Sequence, residues 1–314
     1  MTLKKISFLF PGQGSQFVGM GRDLAETIPA AREIFSQADE VCSRPVSRLC
    51  FEGPMEELTR TENLQPAITA VNLACLEALR EAGIRADVSA GHSLGEYAAL
   101  VSGGVVSARD ALRLVRKRGE VMDREAQAHP GSMAAVMGLD LETVKEIVSE
   151  ASDAGVVAVA NHNTPRQIVI TGERGAVSKA ANLVRERKGK AIPLKVSGAW
   201  HCSLMAEGVS ELREFMEQIP FEVPKTPILF NATAREESDP AAIRDIMARQ
   251  LTGPVYWYGI IERMLEEGVD VFVEVGPKKV LTGLLKKILP SDSPARVYNV
   301  EGKESLERVV QALG

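Results

Sequence analysis

VSAGHSLGEYAALVSG, Val88–Gly103, is the stretch on which the fold turns. Its first five residues read as a short strand running into Ser93, and LGEYAALVSG reads as a helix stopped by Gly103 and Gly104. A strand that passes directly into a helix through Gly91-x-Ser93-x-Gly95 sets a hydroxyl at a sharp bend, the nucleophile-elbow arrangement. The pattern is short enough to arise by chance. Its meaning depends on what the remaining chain brings to Ser93.

Working outward, ISFLF (6–10) reads as a buried strand followed by the glycine-rich loop PGQGSQFVGMG. QPAITAVNLACLEALREAG (65–83) has helical spacing, with Pro66 suited to a first turn and Gly83 to a stop. SARDALRLVRKRGEVMDREAQA (107–128) is a longer amphipathic helix, and PILFN (227–231) and VDVFVEVG (269–276) read as further buried strands. Strands alternating with helices predict an α/β body, of α/β-hydrolase type, with a mostly parallel sheet. Between 129 and 197 the texture changes to β-α-β-β-α-β, the signature of a ferredoxin-like unit. The expected division is a large catalytic domain from 1–128 and 198–314, with a small domain inserted at 129–197. A cleft between them is the expected ligand site.

The 314 residues are 45% hydrophobic and 25% charged with a net charge of -5, which speaks against general nucleic-acid binding. No apolar run approaches the ~18 residues of a membrane span. The opening MTLKKISFLFPG lacks the ~7–15-residue apolar core of a secretory leader, so ISFLF is read as a strand. Cys42, Cys50, Cys75 and Cys202 form no C-x-x-C pair and no zinc spacing with histidine. Free thiols in a reducing cytoplasm are expected, with a Cys42–Cys50 bridge as the alternative.

The loop after ISFLF is not a nucleotide site. Rossmann spacing requires Gly or Ala where Phe17 stands, and no Gly-Lys-Ser/Thr of a P-loop occurs. What remains is a turn presenting backbone N–H groups at the end of a central strand.

A serine hydroxyl needs a base to become a nucleophile. Of the four histidines, His92 points away from Ser93 in an extended strand, while His129 and His162 fall in loop-like segments. His201 follows LKVSGAW and precedes the helical pattern CSLMAEGVSELREFMEQI, where a helix N-terminus favours neutral imidazole. It is the candidate base. No Asp or Glu between Ser93 and His201 suits the third member of a triad, so a dyad is expected, its ring oriented by a backbone group. In the 107–128 helix the apolar stripe includes Ala111, Val115, Gly119 and Met122, and Arg118 lies on its edge. A guanidinium turned toward a core needs a partner: an internal carboxylate, or one carried by the substrate.

With FPGQGSQ (10–16), GHSLGEY (91–97), Arg118-Gly119 and GAWH (198–201) in this order, the chain resembles the malonyl-CoA:acyl carrier protein transacylases of fatty acid biosynthesis along essentially its whole length. The resemblance implies a ping-pong transfer of malonyl from malonyl-CoA to the pantetheine thiol of acyl carrier protein through an ester on Ser93. It implies backbone N–H groups of Gln13 and Leu94 as oxyanion hole, Arg118 on the malonyl carboxylate, and the Gln250 backbone carbonyl orienting His201. Gln65, Met122, Asn163 and Trp200 become pocket-lining positions. Trp200 is expected to crowd the substrate α-carbon and favour malonyl over methylmalonyl. No cofactor and no metal are expected, and the partners are the coenzyme A thioester and the carrier protein, with no nucleic acid and no membrane. The expected working form is a cytoplasmic monomer. Two other readings share these residues: a serine hydrolase or thioesterase, which has no need of Arg118, and a non-catalytic carrier-protein-binding module, against which the intact Ser93, His201 and Arg118 argue.

Overall fold

The strand expected at 6–10 has those bounds: β1 (Ile6–Phe10) runs between β2 (Val88–Gly91) and β9 (Val271–Val275), parallel to both. In the computed structural model, which describes residues 4–314, this sheet extends to β10 (Arg296–Val300) on one side. On the other it extends to β7 (Ile228–Phe230) and β8 (Arg235–Glu236). Every pairing is parallel except the last, β7 with β8. Parallel strands need crossover segments that cover both faces, and β2 and β9 are accordingly buried along their whole length. Glu274, next to last in β9, is buried and its carboxylate is satisfied by capping a helix, accepting from the N–H groups of Leu281 (2.9 Å) and Thr282 (2.8 Å).

The second sheet is separate and antiparallel. β3 (Ser132–Met137), the helix Leu141–Ala151, β4 (Val157–Thr164), β5 (Gln167–Gly172), the helix Arg174–Glu186 and β6 (Lys190–Pro193) follow in that order. The strands are arranged β4-β5-β3-β6, a ferredoxin-like βαββαβ unit. β6 is shorter than KAIPLKVSG suggested. Its ladder ends at Pro193, and one more bond, from Leu194 N–H to the Met133 carbonyl at 2.9 Å, leads into the connection back to the large sheet. The free edge of β4 meets that body through Val255, whose N–H donates to Ala160 O (2.8 Å) and whose carbonyl accepts from His162 N–H (2.9 Å).

Two helix boundaries differ from expectation. The helix predicted at 65–83 spans Thr61–Glu81, so Pro66 sits inside it rather than in its first turn; the turn before Pro66 is held by burial of Leu64 and Gln65. The helix after Ser93 begins as a 3-10 turn, Ser93–Gly95, and becomes α-helical only from Glu96 to Ser102. The long helix, Ala108–Ala128, is capped by Ser107, which accepts from Asp110 N–H at 3.0 Å. All four cysteines are free and buried. Among the described residues no helix is long and apolar enough to cross a membrane.

Candidate active site

The site forms at the carboxyl ends of β1, β2 and β7, where open parallel sheets place ligands. Gly91 and Gly95 have no space for a side chain. A Cβ on Gly91 would fall 1.9 Å from the Gly95 carbonyl carbon, and one on Gly95 would fall 2.0 Å from the Phe10 carbonyl oxygen. This contact locks the bend onto the end of β1. Ser93 is held in the left-handed region at φ 51, a conformation that costs a non-glycine residue roughly 1–3 kcal/mol. Asn231, just past β7, supports it: its Oδ1 accepts from Ser93 N–H at 2.6 Å and its Nδ2 donates to the Gly91 carbonyl at 2.6 Å.

His201 also has positive φ, 64, and its ring reaches the bend. Nε2 lies 2.8 Å from Ser93 Oγ, while Nδ1 lies 2.9 Å from the Gln250 carbonyl and 3.1 Å from that of Gly253. A carbonyl oxygen can only accept, so Nδ1 carries the proton and Nε2 offers its lone pair to the serine hydroxyl. The imidazole is neutral, as anticipated, but for a different reason. The α-helix that follows begins only at Glu207, so its dipole does not act on the ring. Burial, and then the positive charge of Arg118, push His201 down to about 3.

Arg118 is completely buried. Its Nη1 donates to Gln65 Oε1 at 3.0 Å, and its Nη2 donates to Gln250 Oε1 at 3.0 Å and to Ser93 Oγ at 3.2 Å. Its Nε has no partner, and among the described residues no carboxylate comes within ion-pair distance of it. The ring of Tyr97 lies beneath the guanidinium carbon, 5.8 Å to the centroid. Burial lowers the pKa of Arg118 from its ordinary value, yet arginine remains a cation under any working condition.

The cleft in front of Ser93 has a volume of about 520 Å³ and is lined from both sheets. Gln13, Ser93, Trp200 and His201 border it on one side, Met133 and Asn161 on the other, and residues 194–197 cross between. The Gln13 N–H makes no hydrogen bond among the described residues. The Leu94 N–H, in the first turn of the 3-10 segment after Ser93, is one of the donors a helix start leaves free. Gln65 and Met122 do not border the cleft but lie behind Arg118, joined by a 3.1 Å contact from Gln65 Nε2 to Met122 Sδ. Asn163 does not border it either. Its Oδ1 lies 2.8 Å from His92 Nε2, and Asn161, two residues back along β4, is the residue that faces the cleft.

Sequence reasoning missed Asn231, Asn161, Glu96 and the 194–197 segment. Asn231 did carry a signal, being a polar residue at the carboxyl end of a buried parallel strand. Of the other histidines, His92 was expected to point away from Ser93 but borders the cleft, its ring packed on Trp257 with centroids 5.4 Å apart, while His162 packs on Tyr258 at 5.0 Å. Glu125, His129 and Glu207 are close enough together to hold a metal ion, but none of them borders the cleft.

Residues 7–310 match the family model of the acyl transferase domain. A malonyl CoA-acyl carrier protein transacylase of Bacillus subtilis is 42% identical over 313 residues, covering 99% of this chain and 98% of its own. The crystal structure of an acyl carrier protein S-malonyltransferase from Vibrio cholerae superposes with a TM-score of 0.93 at 39% identity, covering 98% of this chain and 100% of that one. A malonyl-transacylase solved in complex with its type II PKS acyl-carrier protein matches with a TM-score of 0.93 at 36% identity, again covering 98% and 100%.

Proposed function

The chain belongs to the acyl transferase family, among its malonyl CoA-acyl carrier protein transacylases, and on that footing we propose that it carries malonyl from malonyl-CoA to acyl carrier protein through an ester on Ser93. His201 Nε2 takes the hydroxyl proton as Oγ attacks the thioester carbonyl. The developing oxyanion is met by the N–H groups of Gln13 and Leu94, the kind of donor whose loss typically costs about 10²–10³ in rate. The C–S bond then breaks, and the protonated ring returns its proton to the departing coenzyme A sulfur. In the second half the pantetheine thiol gives its proton to the same ring and attacks the ester carbonyl. The C–O bond breaks and Ser93 recovers its proton. A strongly depressed His201 suits the donor half of each cycle, because an imidazolium in that setting gives up its proton readily.

The observation that carries the reading is the buried Arg118 guanidinium with only neutral partners, 3.2 Å from the reacting oxygen. A cation taken out of water with no carboxylate in direct contact is costly, and Glu96 acts on it only from behind Gln250. A malonyl carboxylate, held in a bidentate fork, supplies the missing direct partner once the ester forms. No step calls for a cofactor. Residues 1–128 and 198–314 form the catalytic domain in this reading and 129–197 the small domain. The working enzyme is a monomer, and its four reduced thiols suit the cytoplasm.

Intact mass after mixing with malonyl-CoA tests this directly. The expected result is one malonyl group per chain, on Ser93, stable until holo-acyl carrier protein is added and then lost to it. Steady release of free malonate without carrier protein would instead make the chain a thioesterase.

A further inference from the structure

Glu96 is the first residue of the α-helix behind the bend and is completely buried. Its Oε1 accepts from the Asn231 backbone N–H at 2.5 Å, and its Oε2 accepts from Gln250 Nε2. Those two residues reach Ser93, His201 and Arg118, though not the oxyanion donors Gln13 and Leu94. The Asn231 side chain holds the N–H of Ser93 and the carbonyl of Gly91. Gln250 donates to the Ser93 carbonyl at 2.9 Å, accepts from Arg118 at 3.0 Å, and offers its own carbonyl to His201 Nδ1. One carboxylate therefore stands behind the bend, the base and the cation.

We propose that Glu96 is a positioning residue for acyl transfer, its ionised carboxylate fixing Asn231 and Gln250 and through them Ser93, His201 and Arg118. The inference rests on the acyl-transfer reading above. Both partners of Glu96 present N–H groups, and the Asn231 backbone can do nothing else. A protonated carboxyl would turn an O–H against one of these donors. Rotating the Gln250 amide to accept it would set an NH₂ group against the Arg118 guanidinium. Only the ionised form satisfies all the contacts at once.

Burial pushes Glu96 up to about 8, against the opposing pull of Asn231, Gln250 and Arg118. The charged and titratable groups facing it are Arg118 on the long helix and Tyr97 beside it, whose phenol burial pushes well up, while His201 stays neutral above about 3. On this proposal, protonation of Glu96 slows acylation as pH falls through about 8. The folded chain keeps a proton that the unfolded chain releases between the ordinary 4.5 and about 8. Stability falls as pH rises through that window while acylation climbs.

The test is single-turnover acylation of Ser93 by malonyl-CoA, read by intact mass at pH values either side of 8, for the wild type and Glu96→Gln. The isosteric amide keeps the volume but must turn its NH₂ toward one donor. The expected result is a wild-type rate rising through about pH 8. The variant is expected to be slower by roughly 10–10²-fold, with KM little changed and no such rise. A variant that melts earlier yet matches the wild-type rate and pH profile has lost only a structural contact, and the inference falls. If Glu96→Gln does not fold, Glu96→Asp decides: it keeps the charge but draws the carboxylate back from Asn231 and Gln250, so slower acylation supports the assignment and a wild-type rate overturns it. Failure of the wild type to label at all removes the malonyl reading and this inference with it, whereas normal labelling with an indifferent variant removes this inference only.

Discussion

The two walls of the cleft are built on different principles. The wall formed by the parallel sheet carries all the chemistry, and its polar side chains are interlocked: Arg118, Gln65, Glu96, Asn231 and Gln250 are each no more than 1% exposed. The opposite wall, from the antiparallel sheet and the connection at 194–197, offers Met133, Asn161 and the half-exposed Leu194 and Val196. Removing a member of a buried polar network is costly where it strands a donor or acceptor away from water. The opposite wall, where Asn161, Lys195 and Ser197 stand among Met133, Leu194 and Val196, is exposed at Leu194 and Val196 and can yield there. Substitutions in the first wall should therefore appear in kcat, and those in the second in KM and selectivity.

Ser93 and His201 give the largest expected effects. Ser93→Ala removes the atom that forms the bond, so intact mass should show no malonyl label at any time. His201→Ala should slow labelling by about 10²–10⁴-fold, the usual worth of a positioned base. Residual activity closer to wild type would mean that Arg118, 3.2 Å from the hydroxyl, activates it without the ring.

Arg118→Ala sharpens the contrast further. Malonyl-CoA labelling should fall by roughly 10²–10³-fold, in keeping with the 2–5 kcal/mol of a buried, hydrogen-bonded charge pair broken on one side. Acetyl-CoA, with no carboxylate to pair, should label at an equal or greater rate. Equal loss with both thioesters would make Arg118 a structural cation and erase the functional distinction between the walls.

How much of this was legible beforehand depended on whether a residue acts locally. The bend was readable because Gly91 and Gly95 flank Ser93 at the spacing that lets the turn close on itself and sit against Phe10 at the end of β1. Arg118 was readable because a charge on an apolar helix stripe breaks a 3.6-residue period. Glu96 was hidden by its position: an acid at a helix start is ordinarily a solvated partner of the dipole, and nothing local shows that Asn231 and Gln250 return to it from 135 and 154 residues away. The neutral state of His201 was anticipated through the wrong cause, since Arg118 and the burial of the ring are tertiary facts. The small sheet was legible as a βαββαβ order, but its edge contact with Val255, and hence which asparagine of β4 faces the cleft, was not.

Trp200 sits where the walls meet and should give an intermediate effect. Its indole is 5% exposed, borders the cleft and packs so closely over Gly198 that a Cβ there would fall 2.6 Å from the ring. On the proposal that the indole crowds the substrate α-carbon, Trp200→Phe opens room there. The ratio of methylmalonyl to malonyl labelling should rise by about tenfold, the low end of what a methyl-sized pocket change achieves. Comparable labelling of the wild type by both thioesters would show that the indole does not read the α-carbon at all.

The smallest effects belong to the yielding wall. Val196 is 39% exposed and Leu194 37%, so neither can carry more than part of its burial free energy into a bound acyl-pantetheine arm. Val196→Ser and Leu194→Ala should each raise KM by only about two- to fivefold, since a partly exposed apolar contact is worth well under ~1.5 kcal/mol, and should leave kcat unchanged. Steady-state kinetics with malonyl-CoA and with carrier protein as the varied substrate separate the two parameters. A fall in kcat from either change would show that this segment closes over the ester and takes part in the network it faces, and the two walls would then have to be treated as one.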